Sequence, residues 1–434
     1  MTENRVVRSA ILPLVLIVSL FFLWGLANNL NDVLIKQFQK AFTLTYFQAG
    51  LVQMAFYLGY FLLAVPAALL MRRYGYKAAV VIGLVFYGIG ALLFYPAAQI
   101  ATYGMFLLAL FVIACGLAFL ETAANPLVTV LGDTKRSEQR LNFAQSFNPL
   151  GSIIGLQIGQ HFILSGVEHS DSTLAGMTAA EKSAFYAHET QAVVGPYVAI
   201  GLFVLAWAAL VALTRFPEVA TRRAADDPGQ LGWVEALGGL RHKPKLLLAV
   251  VAQFFYVGAQ VGVWSFTIRY AQEAIHIGEK AANLWTTAAL AVFLIGRFVG
   301  SALMSRFNPA RLMALFATIS IVLGLVAAFT PGLLGLIALT AISFFMSIMF
   351  PTIFALGVKN LGPYTQTGAS LIVMAIIGGA LMPPFMGWVA DQTRSMHLAM
   401  LVPAACFVVI ALYAMANSRN AAEADSQADP VLVH

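Results

Sequence analysis

The sequence predicts an all-α membrane protein, with twelve transmembrane helices in two pseudo-symmetric six-helix bundles. Three observations carry that expectation. First, 60% of the 434 residues are hydrophobic and only 10% are charged, where a soluble domain carries about 25% charged residues. Second, apolar runs of membrane-crossing length recur along the chain. In lipid only helices or closed barrels satisfy the backbone, and these runs are too long and continuous for barrel strands. Third, lysines and arginines fall between the runs with a strong bias to one side.

In order, the spans are expected at 10–35, 45–71, 77–98, 102–131, 141–165, 193–215, 246–271, 282–305, 310–330, 332–358, 366–389 and 396–417. Most are long enough to cross a core of about 30 Å at 1.5 Å per residue, several with tilt. The first lacks a small-residue cleavage site after a short apolar core, so it reads as a retained span. With both termini in the cytoplasm, 18 of the 25 basic residues lie on that side, six lie opposite and Arg297 lies within a span. That distribution satisfies the positive-inside rule.

Residues 1–216 form the predicted N-terminal bundle, 217–245 a basic cytoplasmic linker and 246–417 the C-terminal bundle. An Ala/Asp/Ser-rich tail, 418–434, is expected to be disordered. Weak likenesses relate the halves. Span two ends Met71-Arg72-Arg73-Tyr74 and span eight ends Met304-Ser305-Arg306-Phe307, while Pro126 and Pro351 lie in spans four and ten. A duplicated six-plus-six chain suggests a transporter with its site at the midplane between repeats.

Several classes are excluded. The basic residues are dispersed among short loops, which argues against nucleic acid. Cys115 and Cys406 lie in apolar runs with neither disulfide nor metal spacing. No GxxxxGK[ST] loop occurs, and no nucleophile–base pair suggests an enzyme. A non-transporting membrane receptor or sensor is the alternative of another class, but the short tail leaves little room for a signalling domain.

The chemistry concentrates first in Phe21 to Ala41, FFLWGLANNLNDVLIKQFQKA. Trp24, Asn28 and Asp32 recur every four residues and share a helical face, with Asn29 and Asn31 beside them. A carboxylate at mid-bilayer costs roughly 2.5–3.5 kcal/mol on insertion scales. The plainer alternative places Asp32 at the lipid–water interface. The second constellation is LAFLETAANPLVTVLGD, 117–133, where Glu121 sits deep in an apolar helix with Asn125 one turn on. Burial penalises the charged form, so such a carboxyl stays neutral in a dry state and ionises on facing water, as a proton carrier must. Pro126 frees a backbone carbonyl nearby. A protonated glutamic acid bonded to a neighbouring helix is the structural alternative.

Span five places Asn142, Gln145 and Asn148 around one face. Amides both donate and accept, which suits sugar hydroxyls, though they also serve as interhelical glue. In span seven Gln253, Tyr256 and Gln260 share a face, with Trp264 as a further stacking candidate. Phe350 adds an aromatic wall. Arg297 must be paired or snorkelled, and a carboxyl on another helix is one candidate partner.

FFLWGLANNLNDVL, FTLTYFQAGLVQ, FLETAANPLVTVLG, RLNFAQSFN, QFFYVGAQ and FPTIFALGVKNLG together resemble the L-fucose permease branch of the major facilitator superfamily, over residues 18 to 412. The resemblance implies a proton-coupled sugar symporter of a bacterial inner membrane, with no cofactor beyond the coupling proton. It implies coupling carboxyls at Asp32 and Glu121, and sugar contacts at Trp24, Asn29, Gln145 and Asn148. Asn28, Asn125, Gln253, Tyr256, Gln260 and Phe350 complete the predicted binding set. Phe350 departs from the tyrosine of the family pattern and puts the sugar's identity in doubt. L-Fucose leads, glucose and galactose are carried by related members, and Na⁺ is the rival coupling ion. A sugar and the bilayer are the expected partners, and the protein is expected to be a monomer.

Overall fold

The computed structural model describes residues 12, 13, 15–27, 30, 34, 46–100, 102–130, 136–163, 177, 178, 180, 181, 185, 187, 191–216, 218–221 and 233–427. Helices dominate the described residues. We number them by span: α1 is Val15–Ala27, and α2 and α3 are the two legs of one trace, Tyr46–Leu92, with α3 continuing through Phe94–Ile100. Next come α4 (Tyr103–Val130), α5 (Ser137–Gln145, Phe147–Ile158 and a π turn, Gly159–Ile163) and α6 (Val194–Leu213). The second half holds α7 (Pro244–Ile275), α8 (Glu279–Leu303), α9 (Pro309–Phe329) and α10 (Leu333–Met346 with Met349–Val358). It ends with α11 (Thr365–Met374 to Gly378–Thr393) and α12 (Leu401–Gln427).

Nine stretches among the described residues are long and apolar enough to cross a membrane, and one of them, Ala55–Ile100, contains two legs. The legs part at Gly75, whose φ of 85° lies in the left-handed region that only glycine enters freely. At the other end α12 outlasts its apolar stretch and continues to Gln427. Alanine and glutamate there are good helix formers, so the turn of composition near residue 417 ends the span but not the helix.

Packing divides the chain into two compact units. One joins Met1–Ala124 to Leu150–Pro228, and the other joins Asn125–Pro149 to Gly229–His434. In the first unit α1 crosses α5 at very short range. A Cβ on Gly151 would stand 2.0 Å from the Phe22 carbonyl oxygen, and one on Gly155 2.8 Å from that of Leu26. The spacing is the small-xxx-small pattern of close helix pairs in lipid. Between the two glycines, Ser152 Oγ donates to the Gly25 carbonyl at 3.3 Å. Lys77 fastens α3 to the end of α6 by donating to the carbonyls of Ala212 and Thr214 at 2.7 and 2.9 Å. Toward the other end Phe94 stacks on Tyr197, centroids 3.8 Å apart.

In the second unit α7 is the central element. Tyr256 is fully buried and its hydroxyl donates at 3.1 Å to the Met346 carbonyl, which the break in α10 leaves available. Tyr270 does the same for the Ala327 carbonyl near the end of α9, at 2.7 Å. The start of α9 is capped by Asn308, whose Oδ1 accepts from the amides of Ala310 and Arg311 with Pro309 at the first helical position. Outside the spans, Glu181 closes a capping box with Thr178. The Thr178 amide and then its hydroxyl donate to the carboxylate, each at 2.8 Å, and hold it below the usual carboxylate range.

Candidate functional site

The first unit gathers Trp24 from α1, Tyr60 from α2 and Glu121 from α4. Glu121 is 0% exposed. Neither of its carboxyl oxygens has a hydrogen-bond partner among the described residues, and the same holds for Trp24 Nε1 and the Tyr60 hydroxyl. The Tyr60 side chain nonetheless lies close enough to interact with both Trp24 and Glu121. Three polar groups thus lie near one another in a buried place, and neither Trp24 nor Tyr60 satisfies the Glu121 carboxyl. Native interiors rarely leave such groups unpaired, and the exceptions mark functional positions. An ionised carboxylate here would carry its whole desolvation cost with no counter-charge beside it among the described residues. The position therefore suits a group that is protonated when closed off and ionises only when water arrives.

Tyr60 escaped the sequence reading. It belongs to an aromatic run, Phe56, Tyr57 and Tyr60, in a chain whose residues are 12% aromatic, and nothing in the spacing distinguishes it from packing. Asn28, Asn29 and Asp32 lie outside the described residues.

In the second unit the amide-bearing face of α5 meets α8 and α10. Glu138, Asn142 and Gln145 stand at i, i+4 and i+7, so one face carries all three. Glu138 is 1% exposed; it pairs with Lys359 at 2.6 Å and accepts from Ser137 Oγ at 3.0 Å. Asn142 Nδ2 donates to Thr352 Oγ1 at 3.1 Å and to the Glu138 carbonyl. Gln139 Nε2 reaches the Ser301 carbonyl at 3.3 Å. Arg140 ties the start of α5 to the end of α4 by donating to the carbonyls of Val128 and Thr129 at 2.7 and 2.9 Å.

Arg297 of α8, 4% exposed, also meets this face. The sequence raised a carboxyl as a candidate partner; the structure supplies an amide. Nη1 donates to the backbone oxygen of Gln145 at 3.1 Å and to its Oε1 at 2.8 Å. The guanidinium also lies over the Phe293 ring at 4.9 Å. Gln145 Nε2 in turn donates to Asn125 Oδ1 at 2.8 Å. Two oxygen dipoles and an aromatic face together carry the charge, so no carboxylate is needed.

The remaining predicted residues belong to the same unit. Gln253 is wholly buried and neither amide atom has a partner among the described residues. Phe350 packs edge-on against Tyr256 at 6.1 Å. Gln260 and Asn148 are half-buried. Trp264, also half-buried, donates to Ser343 Oγ at 3.3 Å and stands edge-on to Phe293. In the first unit Gln157 and His161 are exposed, and the His161 ring Nδ1 lies 2.9 Å from the Gln157 carbonyl. Among the described residues no group of three or more His, Cys, Asp or Glu is placed to hold a metal ion.

Residues 16–376 match the profile of the Major Facilitator Superfamily. The chain belongs to this superfamily. It is 48% identical to the L-fucose-proton symporter of Escherichia coli strain K12 over 95% of both chains. It is 35% identical to a glucose/galactose transporter of Brucella abortus, over 92% of this chain and 93% of that one. A crystal structure of the superfamily transporter FucP in the outward conformation superposes with a TM-score of 0.86 at 48% identity, covering 94% of this chain and 99% of that one. The twelve-helix superfamily fold expected from the sequence is therefore the fold of this chain, and its relatives are transporters, not enzymes.

Proposed function

We propose that this chain carries a neutral monosaccharide into the cell together with a proton, by alternating access, with L-fucose as the leading substrate. The observation that carries the proposal is Glu121: a wholly buried carboxyl with both oxygens unpartnered among the described residues, beside Trp24 and Tyr60. The names of the curated relatives support the sugar and the coupling ion. On this reading Glu121 takes the proton and hydrogen-bonds the sugar, and Asp32 takes part in coupling or in releasing the proton inside. Trp24 stacks on the ring. Asn28, Asn29, Asn125, Gln145, Asn148, Gln253 and Gln260 hold the hydroxyls, with Tyr256 and Phe350 as the apolar wall. Both termini lie in the cytoplasm of a bacterial inner membrane, and the two bundles span 1–216 and 246–417. The driving force is about 2.3 kcal/mol per charge per 100 mV, plus the pH gradient.

The test is the external pH of a weakly buffered suspension of cells expressing the protein, after pulses of L-fucose, D-galactose and D-glucose. Alkalinisation with L-fucose is expected. A response to galactose or glucose alone would transfer the substrate to the class named by the Brucella relative. Labelled sugar entering with no pH response would remove the proton. Glu121→Gln then isolates the coupling residue: sugar counterflow, which needs no net proton movement, survives, and uphill accumulation is lost. Undiminished accumulation in that variant would take Glu121 out of the coupling role.

A further inference from the structure

We infer that Arg297 is a positioning residue for sugar recognition: it sets the amide of Gln145 and, through it, turns Asn125 so that its N–H₂ group is the end left free for a hydroxyl of the substrate. The inference rests on the sugar-transport reading and adds to it a residue and a direction.

The argument needs only the inventory of donors and acceptors. A guanidinium has donors and no acceptor. Arg297 Nη1 points at the backbone oxygen of Gln145 and at its side-chain amide, at 3.1 and 2.8 Å. The amide end facing it must therefore be oxygen, since the flipped amide would set N–H against N–H. Gln145 Nε2 then lies on the far side, where it meets Asn125 at 2.8 Å. Facing a donor, Asn125 must present Oδ1. Its Nδ2 is turned the other way and has no partner among the described residues, although Asn125 is 0% exposed. A buried donor left unpaired is uncommon and marks the place where an acceptor arrives.

Nothing in these contacts makes Arg297 a counter-ion. Its partners are an amide oxygen, a backbone oxygen, the face of Phe293 and the hydroxyl of Tyr256. What it supplies is a fixed polarity for two amides in series, and neither amide would choose that orientation by itself.

The test is sugar counterflow in proteoliposomes at fixed pH, read as half-saturating sugar against maximal exchange. Methionine cannot donate, so Arg297→Met frees Gln145 and Asn125 to flip. Half-saturation is expected to rise about tenfold, one hydrogen bond's worth, with maximal exchange within about twofold. Lysine still donates to Oε1, so Arg297→Lys should recover to within about threefold of the parent. Asn125→Ala should match the methionine variant, and Arg297→Met on that background should add nothing, because one acts through the other. Independent, multiplying effects of the two changes would overturn the inference, as would an unchanged half-saturation in a monodisperse Arg297→Met protein. If Arg297→Met does not fold, the same cycle with Arg297→Gln decides, because an amide both donates and accepts and so fixes no polarity. A parent that exchanges none of L-fucose, D-galactose and D-glucose would instead sink the transport reading, and with it the ligand assigned to Asn125.

Discussion

Replacing Lys359 by methionine removes the partner of a buried carboxylate and leaves the rest of its surroundings intact. The Glu138 side chain is 2% exposed and that of Lys359 34%, with Nζ 2.6 Å from Oε1. Breaking a fully buried pair costs roughly 3–5 kcal/mol because one charge is stranded, whereas an exposed pair is worth about 0–1 kcal/mol. This pair lies between, because the Lys359 side chain keeps about a third of its surface for water. Glu138 also retains the Ser137 hydroxyl at 3.0 Å and the first turn of α5, where the helix dipole favours a negative charge. We therefore expect a loss of about 2 kcal/mol, which in a unit of this size is about 4–8 °C. The two native cysteines provide the assay. Cys406 is 2% exposed in the second unit, and Cys115 is 5% exposed in the first. In a Cys115→Ala background, a fluorogenic maleimide reports the melting of the second unit alone at a fixed heating rate. Lys359→Met should lower that midpoint by the stated amount. Glu138→Gln added to it should restore about half, since no charge is then stranded. A Lys359→Met midpoint within about 1 °C of its parent, or a double variant less stable than the single one, would refute the reasoning.

Gly151→Ala should be far more damaging than Gly155→Ala, because its Cβ would meet the Phe22 carbonyl at 2.0 Å against 2.8 Å for Leu26. Overpacking of this kind costs roughly 1–3 kcal/mol or more, and the monodisperse yield after size exclusion should rank the two in that order. Tyr197→Phe removes a buried hydroxyl with no partner among the described residues and keeps the stack on Phe94. Stability should be unchanged or higher by up to about 1 kcal/mol; a lower Cys115 melting midpoint in a Cys406→Ala background would reveal a hydrogen bond at that hydroxyl.

The spans were legible because apolar length and the placement of lysine and arginine follow from the bilayer itself. Glu121 was legible for the same reason: a carboxyl in the middle of LAFLETAAN has nowhere polar to go. The amide face of α5 also showed in the sequence, but not what it meets. Glu138 reads as one more charge beside Lys135 and Arg136, and only the fold brings Lys359 to it across 221 residues. Arg297 led toward a carboxylate because ion pairs are the familiar answer to a buried cation. That an amide, a carbonyl and a ring suffice depends on α5 meeting α8, which no local pattern records. The division into units is equally opaque, because the end of α4 and the start of α5 pack with the second half although they precede the linker by some eighty residues.

That division bears on how the protein is made. Gln145 waits for Arg297, 152 residues later, and Glu138 waits for Lys359, 221 residues later. At about 5–20 residues per second of synthesis, the interval is roughly ten to forty seconds. Through it, α5 stands in the nascent chain with a carboxylate and several amides aligned on one face, and with Arg297, Thr352 and Lys359 not yet translated. The same face that anchors the finished protein is thus a sign of incompleteness in a chain halted after α6. An insertion chaperone or a membrane protease that senses polar surface within the bilayer has in Glu138, Asn142 and Gln145 a means of telling the unfinished copy from the finished one.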